Sequence, residues 1–250
     1  MDLNIVNNEE KFLAGKLEGY TLKGAENKFD NKGNPISFPG CTIICNIPIN
    51  TDLSNQIISF QKKIENFNPK KTYFYLPPSS FHMTLFDCCN LNTKNTNYWP
   101  SDIDPDMDYK DIAVELNKKI ENYNFPKQFN LKLKTFFGGY SIILVPFSEK
   151  DEKILRNCRD ELSSLLKIKF ENHQRYTFHI TLAYILRQLN ETEIKNLIEF
   201  NKQLSSDFNK KFPKITFKKP EMYTFKDMLE FKSINSVSYT HLTLPTTWSV

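Results

Sequence analysis

The sequence predicts an α+β fold in which two similar lobes flank a central cleft. Two observations lead to this prediction. Segments with strand character alternate with amphipathic helical segments, and the order strand, helix, strand occurs twice. In each of these units the final strand carries a histidine with a threonine two positions later, once at His82 and once at His179. With 250 residues, of which 40% are hydrophobic, the chain can bury a core of its own.

The first unit runs from residue 41 to residue 86. Its opening segment, residues 41–49, is apolar and β-branched and follows a turn signal at Pro39 and Gly40, which predicts a strand. Residues 76–80 have the composition of a loop and lead into a short strand at 81–86. Between the strands, Thr51 can cap a helix whose buried stripe is formed by Leu53, Ile57, Phe60, Ile64 and Phe67.

The second unit repeats this order. A strand is predicted over residues 140–147, and a strand over residues 175–186 carries the second histidine. The first unit runs 41 residues from Cys41 to His82, and the second runs 39 from Tyr140 to His179, which indicates a duplication. Between these strands, Ser148 and Asp151 can form a capping box for a helix that carries Ile154, Cys158, Leu162 and Leu165.

The remaining segments complete one domain, which we predict to span residues 30–235. Residues 1–29 are interpreted as a polar N-terminal segment, and the threonine-rich residues 236–250 as a non-native or disordered tail. A helix follows the first unit, with Tyr109, Ile112, Leu116, Ile120 and Tyr123 on one face. The other predicted elements are a strand at 129–136, a helix at 191–207 capped by Asn190, and short strands at 213–219, 221–226 and 229–234.

Composition limits the location and the partners of the protein. The net charge of +4 is too small to indicate a nucleic-acid or membrane surface by itself. No run of eighteen apolar residues is present and residues 1–20 lack an apolar segment, so neither a membrane span nor a secretory signal is predicted. The five cysteines lack C-x-x-C spacing, which argues against a zinc site or a disulfide framework and favours a reducing cytoplasm.

The two His-x-Thr motifs carry the predicted chemistry. Side chains two positions apart on a strand point to the same face, so His82 and Thr84 share one face, as do His179 and Thr181. If the lobes are related by an approximate two-fold axis, these faces meet across a cleft around a single phosphate. One imidazole can then act as general base and the other, protonated, as general acid. The threonine hydroxyls can donate to the non-bridging oxygens, where negative charge grows in the transition state.

Other candidates have weaker support. Phe86 and Arg175 lie at even spacing from the histidines, so Phe86 is a candidate for base stacking and Arg175 for a phosphate contact, with core packing and solvent exposure as the respective alternatives. Tyr75 and Tyr140 are candidate cleft aromatics because they lie near the motifs in sequence. The two remaining histidines are expected to play no part: His173 as a surface residue, and His241 as a coincidental His-x-Thr in the tail.

The motifs in their context resemble the 2H phosphoesterase superfamily, which includes 2',5' RNA ligase-like proteins and cyclic nucleotide phosphodiesterases. The segments FDNKGNPISFPGCTIIC, PPSSFHMTLFD and RYTFHITLAYILRQL resemble a little-characterised branch whose members are named mainly as a domain of unknown function. The resemblance covers residues 28–190 and extends weakly to 235. It implies a duplicated bilobal fold with two antiparallel sheets flanking the cleft and helices outside. It also implies metal-free chemistry without a cofactor, and site roles for His82, Thr84, His179 and Thr181.

We therefore predict a phosphodiesterase that opens a 2',3'-cyclic phosphate or cleaves a related diester in a nucleotide or RNA end. By the resemblance, His82 is the base and His179 the acid. Two alternatives stay open, namely a nucleotide- or RNA-binding module without turnover and a metal-dependent hydrolase with both histidines as ligands. The predicted partner is the nucleotide or RNA-end substrate, without a membrane or an obligate protein partner.

Overall fold

The structure is a computed structural model that describes residues 1–19, 25, 27–30, 32–68 and 72–236. The six helices of these residues are α1 (Leu3–Asn7), α2 (Glu9–Leu13), α3 (Asp52–Phe67), α4 (Tyr109–Ile120), α5 (Glu149–Leu166) and α6 (Glu191–Lys211). The ten strands are β1 (Gly40–Asn46), β2 (Tyr73–Tyr75), β3 (His82–Asn90), β4 (Gln128–Phe137), β5 (Ser141–Pro146), β6 (Phe178–Thr181), β7 (Ala183–Ile185), β8 (Ile215–Lys218), β9 (Glu221–Phe225) and β10 (Lys232–Ser233).

Eight strands form one large curled antiparallel sheet in the order β10-β9-β1-β3-β6-β5-β4-β8, and β2 pairs with β7 in a small second sheet. The α+β class is therefore confirmed. The arrangement of the sheets differs from the expected pair, because β3 and β6 are hydrogen-bonded neighbours and join the two strand-helix-strand units into a single sheet. Whether the two units arose by duplication stays a prediction.

Three predicted helix caps are present in the structure. The hydroxyl of Thr51 accepts a hydrogen bond from Ser54 N, and that of Ser148 from Asp151 N. At α6, the Asn190 side chain accepts from Glu193 N and the Glu193 side chain accepts in return from Asn190 N. Each cap satisfies backbone donors that the first helical turn leaves free, which explains why these helices begin where the sequence places them.

The segment predicted as one strand at 175–186 is divided in the structure. A short 3₁₀ helix occupies His173–Arg175, and the chain then passes from β6 into β7, which belongs to the other sheet. The change of sheet occurs at Leu182, whose N–H donates to the Tyr140 carbonyl at 2.7 Å and whose carbonyl accepts from Leu76 N at 2.9 Å. These partners satisfy the backbone where the ladder stops.

The main core lies between the large sheet and helices α3, α4, α5 and α6. Helices α4 and α5 pack against β1, β3, β4, β5 and β9, and α6 packs against β4. A second cluster joins α1 and α2 to β5, β7 and α6, with Leu13 fully buried. The N-terminal segment, interpreted from the sequence as polar, thus contributes apolar side chains to the fold. Among the described helices, none combines the length and the apolar character needed to cross a bilayer.

Candidate active site

Both His-x-Thr motifs line one cavity of about 260 Å³. The motifs lie side by side because of the pairing of β3 with β6. Met83 on β3 is paired with Ile180 on β6, and both are fully buried on the core side. Their neighbours along each strand, His82 with Thr84 and His179 with Thr181, therefore face the opposite side of the sheet. The structure brings all four predicted residues together at the line where the two units join.

The two imidazoles are held in the same way. Nδ1 of His82 lies 2.7 Å from the carbonyl of Ser80, and Nδ1 of His179 lies 3.0 Å from the carbonyl of Thr177. A carbonyl can only accept, so each Nδ1 is the protonated nitrogen and donates, which leaves each Nε2 with a free lone pair. The ring of His82 also packs against Phe231, with 4.3 Å between ring centroids.

Burial favours the neutral form of both histidines. Burial lowers the pKa of His82 to about 4, although the Ser80 carbonyl and the charge of Asp87 act in the opposite direction. The pKa of His179 is held well below its ordinary value, first by burial and then by the nearby amino group of Met1, which lies 3.5 Å from Nδ1. Near neutral pH both imidazoles are therefore neutral.

A β-bulge in β3 places Phe86 in the core, which was the alternative to base stacking. Ile43 pairs with Phe86 and Ile44 with Thr84, so Leu85 is an extra residue between them. The bulge reverses the alternation beyond it, and Phe86 is fully buried beneath the sheet. The guanidinium of Arg159, itself buried on α5, lies over the Phe86 ring and donates to the carbonyl of Leu85.

Two unpredicted polar residues, Asp87 and Asn90, line the cavity together with the histidines. The bulge at Leu85 turns Asp87 to the cavity face, and a second register shift, between the pairs Thr42–Asp87 and Gly40–Asn90, does the same for Asn90. Strict alternation from His82 would have placed Asp87 on the core side. No sequence pattern in this strand marks the position of the bulges.

The other three candidate residues lie outside the first cavity. Arg175 forms an ion pair with Asp2 at 3.3 Å, and its side chain is 53% exposed. It is not among the described residues that line the cavity, so its position agrees with solvent exposure, the alternative to a phosphate contact. Tyr75 lies in the small sheet beside Tyr73, away from the described cavity walls. Tyr140 lines an adjoining cavity of about 300 Å³ that also includes His179 and Thr181.

Residues distant in sequence complete the site. Of the described residues that line the two cavities, Lys28 is the only lysine or arginine. Its Nζ lies 3.5 Å from the hydroxyl of Tyr184. Phe38, Phe225 and Phe231 form an aromatic wall of the first cavity. Sequence reasoning missed these residues because they belong to neither motif and reach the site only through tertiary contacts.

The remaining histidines and the cysteines lie apart from this chemistry. His173, expected at the surface, is buried and its Nε2 lies 2.8 Å from Asp160, so that expectation was wrong. His241 is outside the described residues. All five cysteines are buried and free, and within the part of the chain that the structure describes no group of three or more His, Cys, Asp or Glu is placed to hold a metal ion.

The structure thus combines an α+β fold with two histidines that face one cavity. Residues 28–138 match the family model 2H-phosphodiest, described as a domain of unknown function (DUF1868). The resemblance to a little-characterised 2H phosphoesterase branch is therefore confirmed. The match supports the phosphoesterase superfamily and phosphodiesterase activity in general; it includes His82 and ends before His179.

The fold is also found in a solved structure. The crystal structure of the conserved protein of unknown function ATU0111 from Agrobacterium tumefaciens is similar, with a TM-score of 0.83 and 19% sequence identity. The alignment covers 91% of this chain and 97% of that chain, which shows a shared fold over nearly the whole length. No curated protein matches the sequence.

Proposed function

We propose that this protein is a metal-independent phosphodiesterase that acts on 2',3'-cyclic phosphates or related nucleotide and RNA phosphodiesters by paired histidine acid–base catalysis. The observation that carries the proposal is the matched pair of imidazoles in one cavity, each with Nδ1 donating to a carbonyl two residues earlier in the chain. Two rings that are held in place with free Nε2 atoms can transfer protons on opposite sides of one phosphorus atom. The catalytic unit in this proposal is the domain of residues 30–235 together with Lys28 from the segment that precedes it.

Displacement at phosphorus requires two proton transfers. Nε2 of His82 takes the proton of the attacking hydroxyl, and Nε2 of His179, when protonated, gives its proton to the departing oxygen. His82 suits the role of base because its lowered pKa keeps it neutral. His179 suits the role of acid because it lines both cavities and thus stands next to either position of a leaving group.

The acid must be charged when the substrate is bound. Burial holds the pKa of His179 low, but a phosphate anion beside the ring favours the imidazolium and raises that pKa. Proton uptake by His179 is therefore coupled to substrate binding.

Three further groups can stabilise the charge that develops on the phosphoryl oxygens. Thr84 and Thr181 can donate hydrogen bonds from the two strands, and Lys28 supplies a fixed positive charge in the region common to both cavities. Donors that are already in place before the reaction need little reorganisation in the transition state. Phe38, Phe225 and Phe231 offer apolar surface for a nucleobase.

The experiment is a turnover assay of the full chain on cyclic mononucleotides, 2',5'-linked oligomers and cyclic esters of ADP-ribose, with and without a chelator. His82→Ala and His179→Ala should each abolish turnover, with circular dichroism to verify folding. His241→Ala and deletion from residue 237 serve as controls and should leave the rate unchanged.

Three results would contradict the proposal. Tight nucleotide binding without turnover would favour the binding-module alternative. Loss of activity in chelator, restored by a divalent metal, would favour the metal-dependent hydrolase. Loss of activity in His241→Ala would show that the motifs have been paired incorrectly.

A further inference from the structure

The second cavity adjoins the candidate active site and has no part in the acid–base step itself. It measures about 300 Å³, and it shares five residues with the first cavity, namely Met1, Lys28, His179, Thr181 and Tyr184. His82 lines only the first cavity. A phosphate at the shared residues would thus have one open cavity on each side, and the second cavity lies on the side of His179.

The walls of the second cavity are suited to a flat, partly apolar group. Ile5, Phe12, Ala25 and Ile185 are apolar, and Tyr140 and Tyr184 add aromatic surface. The volume falls at the lower end of the range of small-molecule sites. Neither the proton transfers by the histidines nor the binding of a phosphate requires an apolar cavity at this position.

Ser141 adds an independent observation. It lines this cavity on β5, directly opposite Thr181 in the strand pair, and is only 1% exposed. Among the described residues its hydroxyl oxygen has no hydrogen-bond partner. A buried hydroxyl without a partner is costly, so a polar ligand atom that pairs with it gains that interaction on binding.

We infer that the second cavity binds the leaving nucleoside of a linear diester, and that Ser141 recognises a polar atom of that nucleoside. This inference rests on the proposed function and specifies its substrate as a diester with a nucleoside on each side of the phosphorus. A ribose hydroxyl next to the linkage attacks phosphorus and passes its proton to His82. As the new O–P bond forms, the P–O5' bond breaks, and O5' takes the proton of His179. The products are a 2',3'-cyclic phosphate and a nucleoside with a free 5'-hydroxyl.

The experiment compares kcat/KM for a linear and a cyclic probe. The linear probes are a 3',5'-linked dinucleoside monophosphate and its 2',5'-linked isomer, and the cyclic probe is a nucleoside 2',3'-cyclic phosphate. Ile5→Trp places a bulky ring in the second cavity from a partly exposed position on α1. Leu3→Trp is the matched control, since Leu3 lies on the same helix, is 40% exposed and is not among the described residues that line the cavity.

We expect the linear-to-cyclic ratio of kcat/KM to fall at least 30-fold in Ile5→Trp and about tenfold in Ser141→Ala, the latter corresponding to one lost hydrogen bond. The Leu3→Trp control should keep the wild-type ratio. Ser141→Ala removes an unpaired buried hydroxyl, so its thermal stability should not fall.

A wild-type ratio in both Ile5→Trp and Ser141→Ala, with turnover intact, would overturn this inference and leave the proposed function standing. Equal losses on both probes would overturn it as well, because the cavity would then not be specific to the leaving group. Failure of the wild-type protein to turn over any of the probes would overturn the proposed function together with the inference.

Discussion

The buried neutral state of His82 can be tested without knowledge of the substrate. In the unfolded chain the imidazole titrates near its ordinary pKa of 6.5, whereas in the folded protein its pKa is about 4. Between these values the unfolded state binds more protons, so the free energy of unfolding decreases as the pH falls. The contribution of His82 to stability is fully present above pH 6.5 and is lost as the pH drops toward 4.

The magnitude follows from the two pKa values. Each pH unit within this window costs about 1.4 kcal/mol, so acidification from pH 7.5 to pH 5 removes about 2 kcal/mol. The ring lines an open cavity where solvent screens part of the desolvation, which makes this value an upper limit. In His82→Asn the amide can still donate to the Ser80 carbonyl while the titrating ring is absent.

Glu9 must be accounted for in this measurement. Burial raises the pKa of Glu9 to about 7, against its hydrogen bonds from Gly138 and Asn201, so the folded state binds more protons and stability increases as the pH falls from 7 to 4.5. The total pH dependence of the wild type therefore contains opposing contributions. Glu9 and His179 are present in both proteins, so the difference between wild type and His82→Asn reports the His82 imidazole together with its effect on the pKa of His179.

The assay is urea denaturation at pH 7.5, 6.25 and 5, followed by circular dichroism, with His241→Ala as a control that keeps the wild-type behaviour. We expect the wild type to lose up to 2 kcal/mol more than His82→Asn between the extremes of pH. Parallel losses in the two proteins would show that His82 titrates in the folded state as it does in the unfolded chain. The account of a buried, neutral base would then be refuted.

Three further predictions concern activity. Lys28→Met should lower kcat/KM about 100-fold while Lys28→Arg retains most of the rate; the exposed Lys32→Met is the control, and a change of less than threefold in Lys28→Met would remove Lys28 from the mechanism. Thr84→Val and Thr181→Val should each lower kcat about 10- to 100-fold, and the serine variants should be nearly normal, which steady-state kinetics on the cyclic phosphate can verify. Because burial lowers the pKa of both histidines, kcat/KM should rise as the pH falls from 8 to 6.5, by up to about tenfold per unit. The kcat value should depend less on pH, since bound phosphate raises the pKa of His179. A fall of kcat/KM between pH 8 and 6.5 would contradict the acid role.

Local sequence patterns were sufficient to predict where the long helices begin and which face of the strand His82 and Thr84 occupy. The caps at Thr51, Ser148 and Asn190 depend on interactions within four residues, so the sequence contains the information needed to place them. The same holds for His82 and Thr84, which lie within one undisturbed stretch of β3. Alternation along a strand is reliable as long as the ladder is regular.

The errors occur where tertiary structure overrides a local pattern. Phe86 was assigned to the cavity face because strict alternation was carried past Thr84, and the bulge at Leu85 ends that alternation. The bulge is supported from another element, since buried Arg159 on α5 donates to the Leu85 carbonyl. An interaction across 74 residues cannot be inferred from the strand's own sequence.

The N-terminal segment illustrates a second limit. Helices α1 and α2 have five residues each, too few to show an amphipathic period, yet Val6, Phe12 and Leu13 are buried against the rest of the fold. Short helices of this kind are stable only through tertiary packing. Their contribution to the cavity walls therefore becomes visible only in the folded chain.

The position of these walls bears on how substrate selectivity is encoded. The family match covers residues 28–138 and so includes His82, Thr84 and Lys28, but Ile5, Phe12 and Ser141 lie outside it. His179 and Thr181 also lie outside it, so the match contains one half of the proposed catalytic pair and none of the residues proposed here for leaving-group recognition. Exchanging only Ile5, Phe12 and Ser141 should change which diester is cleaved and leave the proton transfers in place, because the imidazoles are held by the carbonyls of Ser80 and Thr177 and none of these three residues contacts them through a hydrogen bond.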